Sequence, residues 1–260
     1  DGATSSAAAE ALGDLSSIRD DVGGLTITTA STALVGLDGG ASQLIDYPYG
    51  CTEQLTSRLV PMLPMRELAR DFGIALPANT DHVVETTVAK ILSHQRSDGS
   101  FGFWPDSPDS NAWVTSYALW GLHEAKRRGV AVPQSSLDQS AQWLFRALAS
   151  EDRGLRHGVG PFIVYVLAEL GKPDPGRVSQ LFEGREGMPL YGKALLLHAM
   201  VLGKHDPSSI DALVSELEAA VRIDGPAART AENQGDAYLA YLDSEARTSA
   251  LVLRALLAAK

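Results

Sequence analysis

The chain has 260 residues, 45% of them hydrophobic and 21% charged, with a formal net charge of −10. That length suits one domain, or one and a small appendage, with ample chain for a core, and the acidic balance argues against nucleic acid or an anionic membrane as a partner. No apolar run approaches the ~18 residues needed to span a bilayer, and no basic-then-apolar opening reads as a signal peptide.

In chain order, residues 1–22 are rich in Ala, Ser, Asp and Gly. Ser5 to Ile18 reads either as a marginal helix or as linker. Leu25-Thr26-Ile27-Thr28-Thr29 alternates apolar and polar β-branched residues, a strand pattern. A second apolar patch, residues 33–37, ends at the turn signal Asp38-Gly39-Gly40. Strand character is expected here and almost nowhere later.

From Ala41 the pattern is helix after helix. A first run covers Thr52 to Val60, with Leu55, Leu59 and Met62 on one face; Pro61 and Pro64 should break or kink it. Helix resumes from Met65 to Phe72, and Gly73 is a C-terminal stop. Thr80-Asp81 caps a helix through Gln95, with Val84, Val88, Ile91 and Leu92 spaced for burial. Ser110 or Asn111 opens another, along which Trp113, Tyr117, Trp120 and Ala125 recur. Further helices are expected over about 136–149, 158–170, 175–183, 189–202, 207–222 and 244–259, ten or so in all. Residues 114–122, 162–170 and 247–256 are weakly alike, which suggests helical hairpins stacked into an array that closes on itself.

Two short stretches carry more information than the pattern. The first is Tyr47-Pro48-Tyr49-Gly50-Cys51-Thr52-Glu53-Gln54, which holds the only cysteine of the chain. A lone thiol has no disulfide partner, so it packs, binds metal or reacts. Three residues apart at a helix start, Cys51 and Gln54 share a face and can touch. A cysteine sulfur held against a glutamine carbonyl can displace ammonia and leave an internal thioester. Gly50 removes side-chain bulk and permits an unusual backbone. Tyr47, Pro48 and Tyr49 form a stiff lead-in that either shields the bond from water or packs in the core.

These residues resemble the thioester signature of the alpha-2-macroglobulin and complement superfamily, in the form used by bacterial alpha-2-macroglobulins. The vertebrate form usually has glycine where Thr52 stands. By that resemblance Cys51 is the thioester sulfur and Gln54 the acyl donor, while Glu53 belongs to the motif without a bond-forming role. The second stretch is Gln95 to Trp104. It resembles the Gln-x-x-x-Gly-x-aromatic element of terpenoid cyclases and protein prenyltransferases, which fold as an α/α toroid. Thioester domains of the first superfamily share that toroid. The resemblances together imply an all-α fold, an α/α toroid of helical hairpins, over residues 41–260. Residues 1–40 would be a linker and strand remnant of a preceding β-domain. The family's thioester domain closes with further helices, so a ring truncated after Lys260 is expected to expose an apolar face.

Other chemistries need partners for Cys51. A nucleophilic cysteine needs a histidine close in space, from among His82, His94, His123, His157, His198 and His205. None lies in a local protease signature. Zinc of the prenyltransferase kind lacks a nearby histidine pair, and Asp106 and Asp109 read as turn and cap residues rather than a cyclase acid motif. No cofactor or metal is expected. Complement proteins place an assisting histidine roughly a hundred residues after the cysteine. By position alone His157 matches it; a loop residue between helices is the competing reading.

The resemblance implies a protease inhibitor rather than a turnover enzyme. In a bacterial alpha-2-macroglobulin, bait cleavage elsewhere uncovers the thioester, and a lysine amine of the attacking protease takes the Gln54 acyl group. Neighbouring domains of the parent protein are the other partners, and a periplasmic or cell-surface location is implied. The alternatives are a toroid enzyme using Cys51 as nucleophile or metal ligand, and an inert binding module.

Overall fold

The computed structural model describes Asp21 and residues 50–73, 76–149, 159–224, 227–230 and 244–260. All but Asp21 lie in the second of two compact units, Asp38–Lys260. The helix and strands expected before residue 38, together with Tyr47, Pro48, Tyr49 and His157, fall outside the described residues.

Nine helices are described: α1 (Thr52–Phe72), α2 (Thr80–Ser93), α3 (Ala112–Arg127), α4 (Gln134–Ala149), α5 (Gly160–Glu169), α6 (Pro175–Glu183), α7 (Leu190–Leu202), α8 (Pro207–Ala220) and α9 (Glu245–Ala258). Each odd-numbered helix packs on the next odd one, from α1 to α3 and on through α5, α7 and α9. The even-numbered helices lie outside, each bridging the two odd helices that flank it in sequence. This is the all-α, α/α-toroid arrangement. Inner helices must be apolar on most sides, and α5 is the extreme case: every residue from Gly160 to Ala168 is buried.

Several ends are set by caps. Asn111 caps α3 by accepting the Val114 N–H at 3.0 Å, Asp174 caps α6 through the Arg177 N–H, and Ser244 caps α9 through the Arg247 N–H. Gly73 ends α1 in the left-handed conformation (φ 67°), its N–H bonded to the Ala69 carbonyl.

Three expectations are corrected. Pro61 and Pro64 do not break the first helix; α1 runs without interruption for 21 residues. Each interior proline costs about 3 kcal/mol, but Leu55, Leu59, Met62 and Leu63 are fully buried beside them, and each contributes roughly 2 kcal/mol. The prolines lie on the half-buried outer stripe, so packing of the inner stripe prevails. Thr80 is not a cap but the first residue of α2: its hydroxyl turns back to the Pro77 carbonyl at 2.6 Å, and Asn79 precedes it without a side-chain cap bond. Strand structure also appears late in the chain. Strands β1 (Arg222–Asp224) and β2 (Ala227–Arg229) pair antiparallel, with Ile223 opposite Ala228. The expected helix over 207–222 therefore ends two residues early. The turn signal Asp224-Gly225-Pro226 was the cue for this hairpin in the sequence.

Candidate functional site at the start of the first helix

Cys51 is the N-cap of α1 (φ −68°, ψ 158°) and is 6% exposed. Its sulfur accepts the Gln54 backbone N–H at 3.4 Å. In return, the Cys51 N–H donates to Oε1 of Gln54 at 3.3 Å. This is a capping box with cysteine in the place usually held by serine or threonine. The box folds the Gln54 side chain back over the cysteine, so the carbonyl of the amide and the sulfur belong to one closed turn.

The arrangement has chemical consequences. A nucleophile that adds to the Gln54 side-chain carbonyl pushes negative charge onto Oε1, the atom that already accepts a backbone N–H. Such a preplaced donor stabilises the tetrahedral species, and the positive end of the α1 dipole adds to it. Burial pushes the Cys51 thiol above its ordinary value; the Gln54 N–H on the sulfur offsets only part of that. The free thiol is therefore protonated at neutral pH and quiet toward external reagents.

Thr52 ties this turn to the second motif. It is wholly buried, its N–H donates to the Phe103 carbonyl at 2.8 Å, and its Oγ1 lies 3.0 Å from Nδ1 of His94, a hydrogen bond in either imidazole tautomer. His94 is the C-cap of α2. Burial, helped by the charge of Lys90, lowers its pKa and keeps it neutral. The loop that supplies Phe103 is itself firmly held. Nε2 of Gln95 donates to the Ser136 carbonyl and to Oγ of Ser140, both at 2.8 Å. Gly99 has φ +90°, and a Cβ there would come within 2.4 Å of the Gln139 carbonyl oxygen, so only glycine fits. Phe101 is fully buried and its N–H bonds Oγ1 of Thr115 at 3.0 Å.

At Gly50 the lack of side-chain bulk matters. Its missing side chain leaves room for Lys90, whose Nζ would lie 2.6 Å from an added Cβ. Glu53 points elsewhere: its Oε1 accepts from Oγ of Ser57 at 2.7 Å, and Ser57 is 3.2 Å from the Tyr117 hydroxyl. Glu53 thereby lines a cavity of about 220 Å³ at the axis of the toroid, walled by Trp113, Tyr117, Trp120, Phe162 and Tyr165 among others. Of the residues singled out in the sequence, then, the side chains of Cys51 and Gln54 come together, and that of Glu53 turns away. His94, Thr52 and the Phe103 carbonyl join them without having been expected. His94 was one candidate among six; the one signal in its favour is that it directly precedes Gln95 of the toroid element.

One group of potential metal ligands exists among the described residues. His123, Glu124 and Glu169 bring ligand atoms within 4.8 Å of one another. Both carboxylates are already neutralised. Glu124 pairs with Arg127 and Arg128, and Glu169 accepts from Arg254 at 3.0 Å and from the Tyr165 hydroxyl at 2.8 Å. The donor set therefore suits an ion-pair knot between inner helices better than a cation. No described helix is long and apolar enough to cross a membrane.

Comparison with known proteins agrees with the geometry. Residues 17–155, more than half of the chain, match the family described as the A-macroglobulin TED domain. Alpha-2-macroglobulin of Escherichia coli K12 is 27% identical over 176 residues, covering 61% of this chain and 11% of that protein. An alpha-2-macroglobulin homolog of Yersinia pestis is 33% identical over 148 residues, covering 56% of this chain and 7% of the relative. The chain thus spans about a tenth or less of the curated relatives it matches. Among solved structures, native Escherichia coli alpha-2-macroglobulin from domain MG7 to the C-terminus superposes with a TM-score of 0.60 at 23% identity, over 69% of this chain and 31% of that one. Salmonella alpha-2-macroglobulin reacted with methylamine gives 0.62 at 22% identity, over 84% and 17%. With a cysteine-glutamine capping box opening the first inner helix of an α/α toroid, and with that match over residues 17–155, the chain belongs to the A-macroglobulin TED domain family.

Proposed function

We propose that Cys51 and Gln54 form an internal thioester, and that this chain is the covalent-capture domain of a bacterial alpha-2-macroglobulin-like protease inhibitor. The observation that carries the reading is the reciprocal capping box, which holds the sulfur and the amide of the two residues in one turn. To form the bond, Sγ of Cys51 attacks the side-chain amide carbon of Gln54. The C–N bond breaks, ammonia leaves with the thiol proton, and an S–acyl bond remains.

Capture reverses the leaving group. A lysine amine of the target protease adds to the same carbon, the C–S bond breaks, and the amine proton passes to the departing Cys51 sulfur. An isopeptide link joins Gln54 to the protease, once per molecule. A sulfur leaves more readily than an alkoxide because a thiol has a pKa of about 8.5. Two related structures support the chemistry by analogy: the Salmonella protein reacted with methylamine, a small amine, and the Escherichia coli protein activated by porcine elastase, a protease. Target proteases, neighbouring domains as the shield, Tyr47 and Tyr49 as part of that shield, and a periplasmic or cell-surface location all belong to this proposal. His157 as an assisting group belongs to it only by position.

The enzyme reading has less support. Among the described residues the sulfur of Cys51 accepts the Gln54 backbone N–H, and His94 bonds Thr52 rather than Cys51. The test is intact mass with thiol titration, before and after methylamine. A mass short by one ammonia, with a thiol released only by methylamine, is expected, and Cys51→Ala abolishes both. A full mass with a thiol titratable from the start, and Gln54 unchanged, overturns the reading.

A further inference from the structure

Of the two residues between Cys51 and Gln54, Thr52 is pinned twice over, and the pins come from outside the motif. Thr52 is fully buried, its N–H is fixed to the Phe103 carbonyl, and its hydroxyl is fixed to the 94% buried His94. By contrast, the Gln54 side chain is tied to the turn through a single bond of 3.3 Å, from the Cys51 N–H to its Oε1, while the 3.4 Å bond to the sulfur fixes the backbone of Gln54 rather than its amide. Reaction between neighbouring groups is acutely sensitive to such placement.

From this geometry we infer that His94 is a positioning residue for the Cys51–Gln54 bond, acting through the Thr52 hydroxyl. The inference rests on the thioester reading above and adds a control element to it. The turn that stores the acyl group is clamped between the C-terminus of α2, through His94, and the Gln95–Trp104 loop, through the Phe103 carbonyl. Those two supports are continuous in the chain, since His94 immediately precedes Gln95. Any movement of this α2–loop junction relative to α1 strains the acyl bond or frees it to hydrolyse. The clamp gives the fold's own loop motif a part in keeping the bond intact. No proton transfer or bond exchange by His94 is involved.

The test compares Thr52→Val, which keeps the shape and removes the hydroxyl, with Thr52→Ser, His94→Ala and His94→Asn in the full-length protein that carries this chain. Hydrolysis of the thioester, followed as thiol release without added amine, is the readout. Loss of one such hydrogen bond corresponds to about a tenfold change in rate. Thr52→Val and His94→Ala are therefore expected to release thiol about tenfold faster, or to fold without forming the bond. Thr52→Ser stays near the wild-type rate. His94→Asn, whose amide reaches the place of Nδ1, restores most of what His94→Ala loses. That rescue separates positioning from general destabilisation, and melting temperature is read alongside. Thr52→Val with a wild-type release rate overturns the inference and leaves the thioester reading standing. A wild-type protein that never loses ammonia overturns both.

Discussion

The turn at residues 51–54 and the loop at residues 95–104 are joined by the backbone bond from the Thr52 N–H to the Phe103 carbonyl, yet they are built on opposite plans. The loop is over-determined: a glutamine with two short bonds to α4, a glycine that no other residue can replace, a buried phenylalanine and a threonine hydroxyl on its backbone. The turn carries the two reciprocal bonds of the capping box and a buried thiol whose pKa is raised. Rigidity is concentrated in the loop, and the turn proposed to carry the chemistry is held by that loop and by His94. Functional turns supported from a rigid second layer show this division generally.

Breaking the rigid side has the largest expected effect. Gly99→Ala forces a Cβ into the Gln139 carbonyl at positive φ; overpacking and backbone strain together should cost about 3 kcal/mol, read by denaturant unfolding. Gln95→Ala comes next. It removes both bonds to α4, for about 2 kcal/mol by the same measurement.

A pH titration sharpens the comparison with a smaller effect. His94, His123 and His198 all have pKa values lowered, in each case chiefly by burial. In the unfolded chain they return to about 6.5. Below that value the unfolded chain binds more protons than the folded one. Their contribution to stability is therefore fully present above pH ~6.5 and declines as pH falls toward the depressed folded values. Melting temperature should drop as pH falls below about 6.5, and a His94→Asn protein should drop less.

The smallest stability change is expected in the turn itself. Cys51→Ser keeps a good N-cap, so unfolding free energy should shift by less than about 0.5 kcal/mol, while the methylamine-released thiol disappears entirely. A large loss of stability would show that the turn, too, is structural.

Much of this was legible in the chain. Helix positions from residue 112 onward follow from apolar periodicity and from caps such as Asn111, Asp174 and Ser244, because those signals are local. The pairing of Cys51 with Gln54 was legible for the same reason, being an interaction three residues long. Pro61 and Pro64 were misread because local propensity favours a break, whereas burial of Leu59, Met62 and Leu63, which depends on α2 and α3 being there, favours continuation.

What the sequence determined by itself is the helical array, the toroid and the pairing of Cys51 with Gln54, all properties of short windows or of resemblance. What tertiary structure alone decided is which distant groups hold that pair: His94 is 42 residues from Thr52, and Phe103 is further still. A hydrogen bond has no periodicity and leaves no pattern in composition. It exists because packing α2 and its following loop against α1 brings a buried hydroxyl, an imidazole and a carbonyl to within 3 Å of where each is needed.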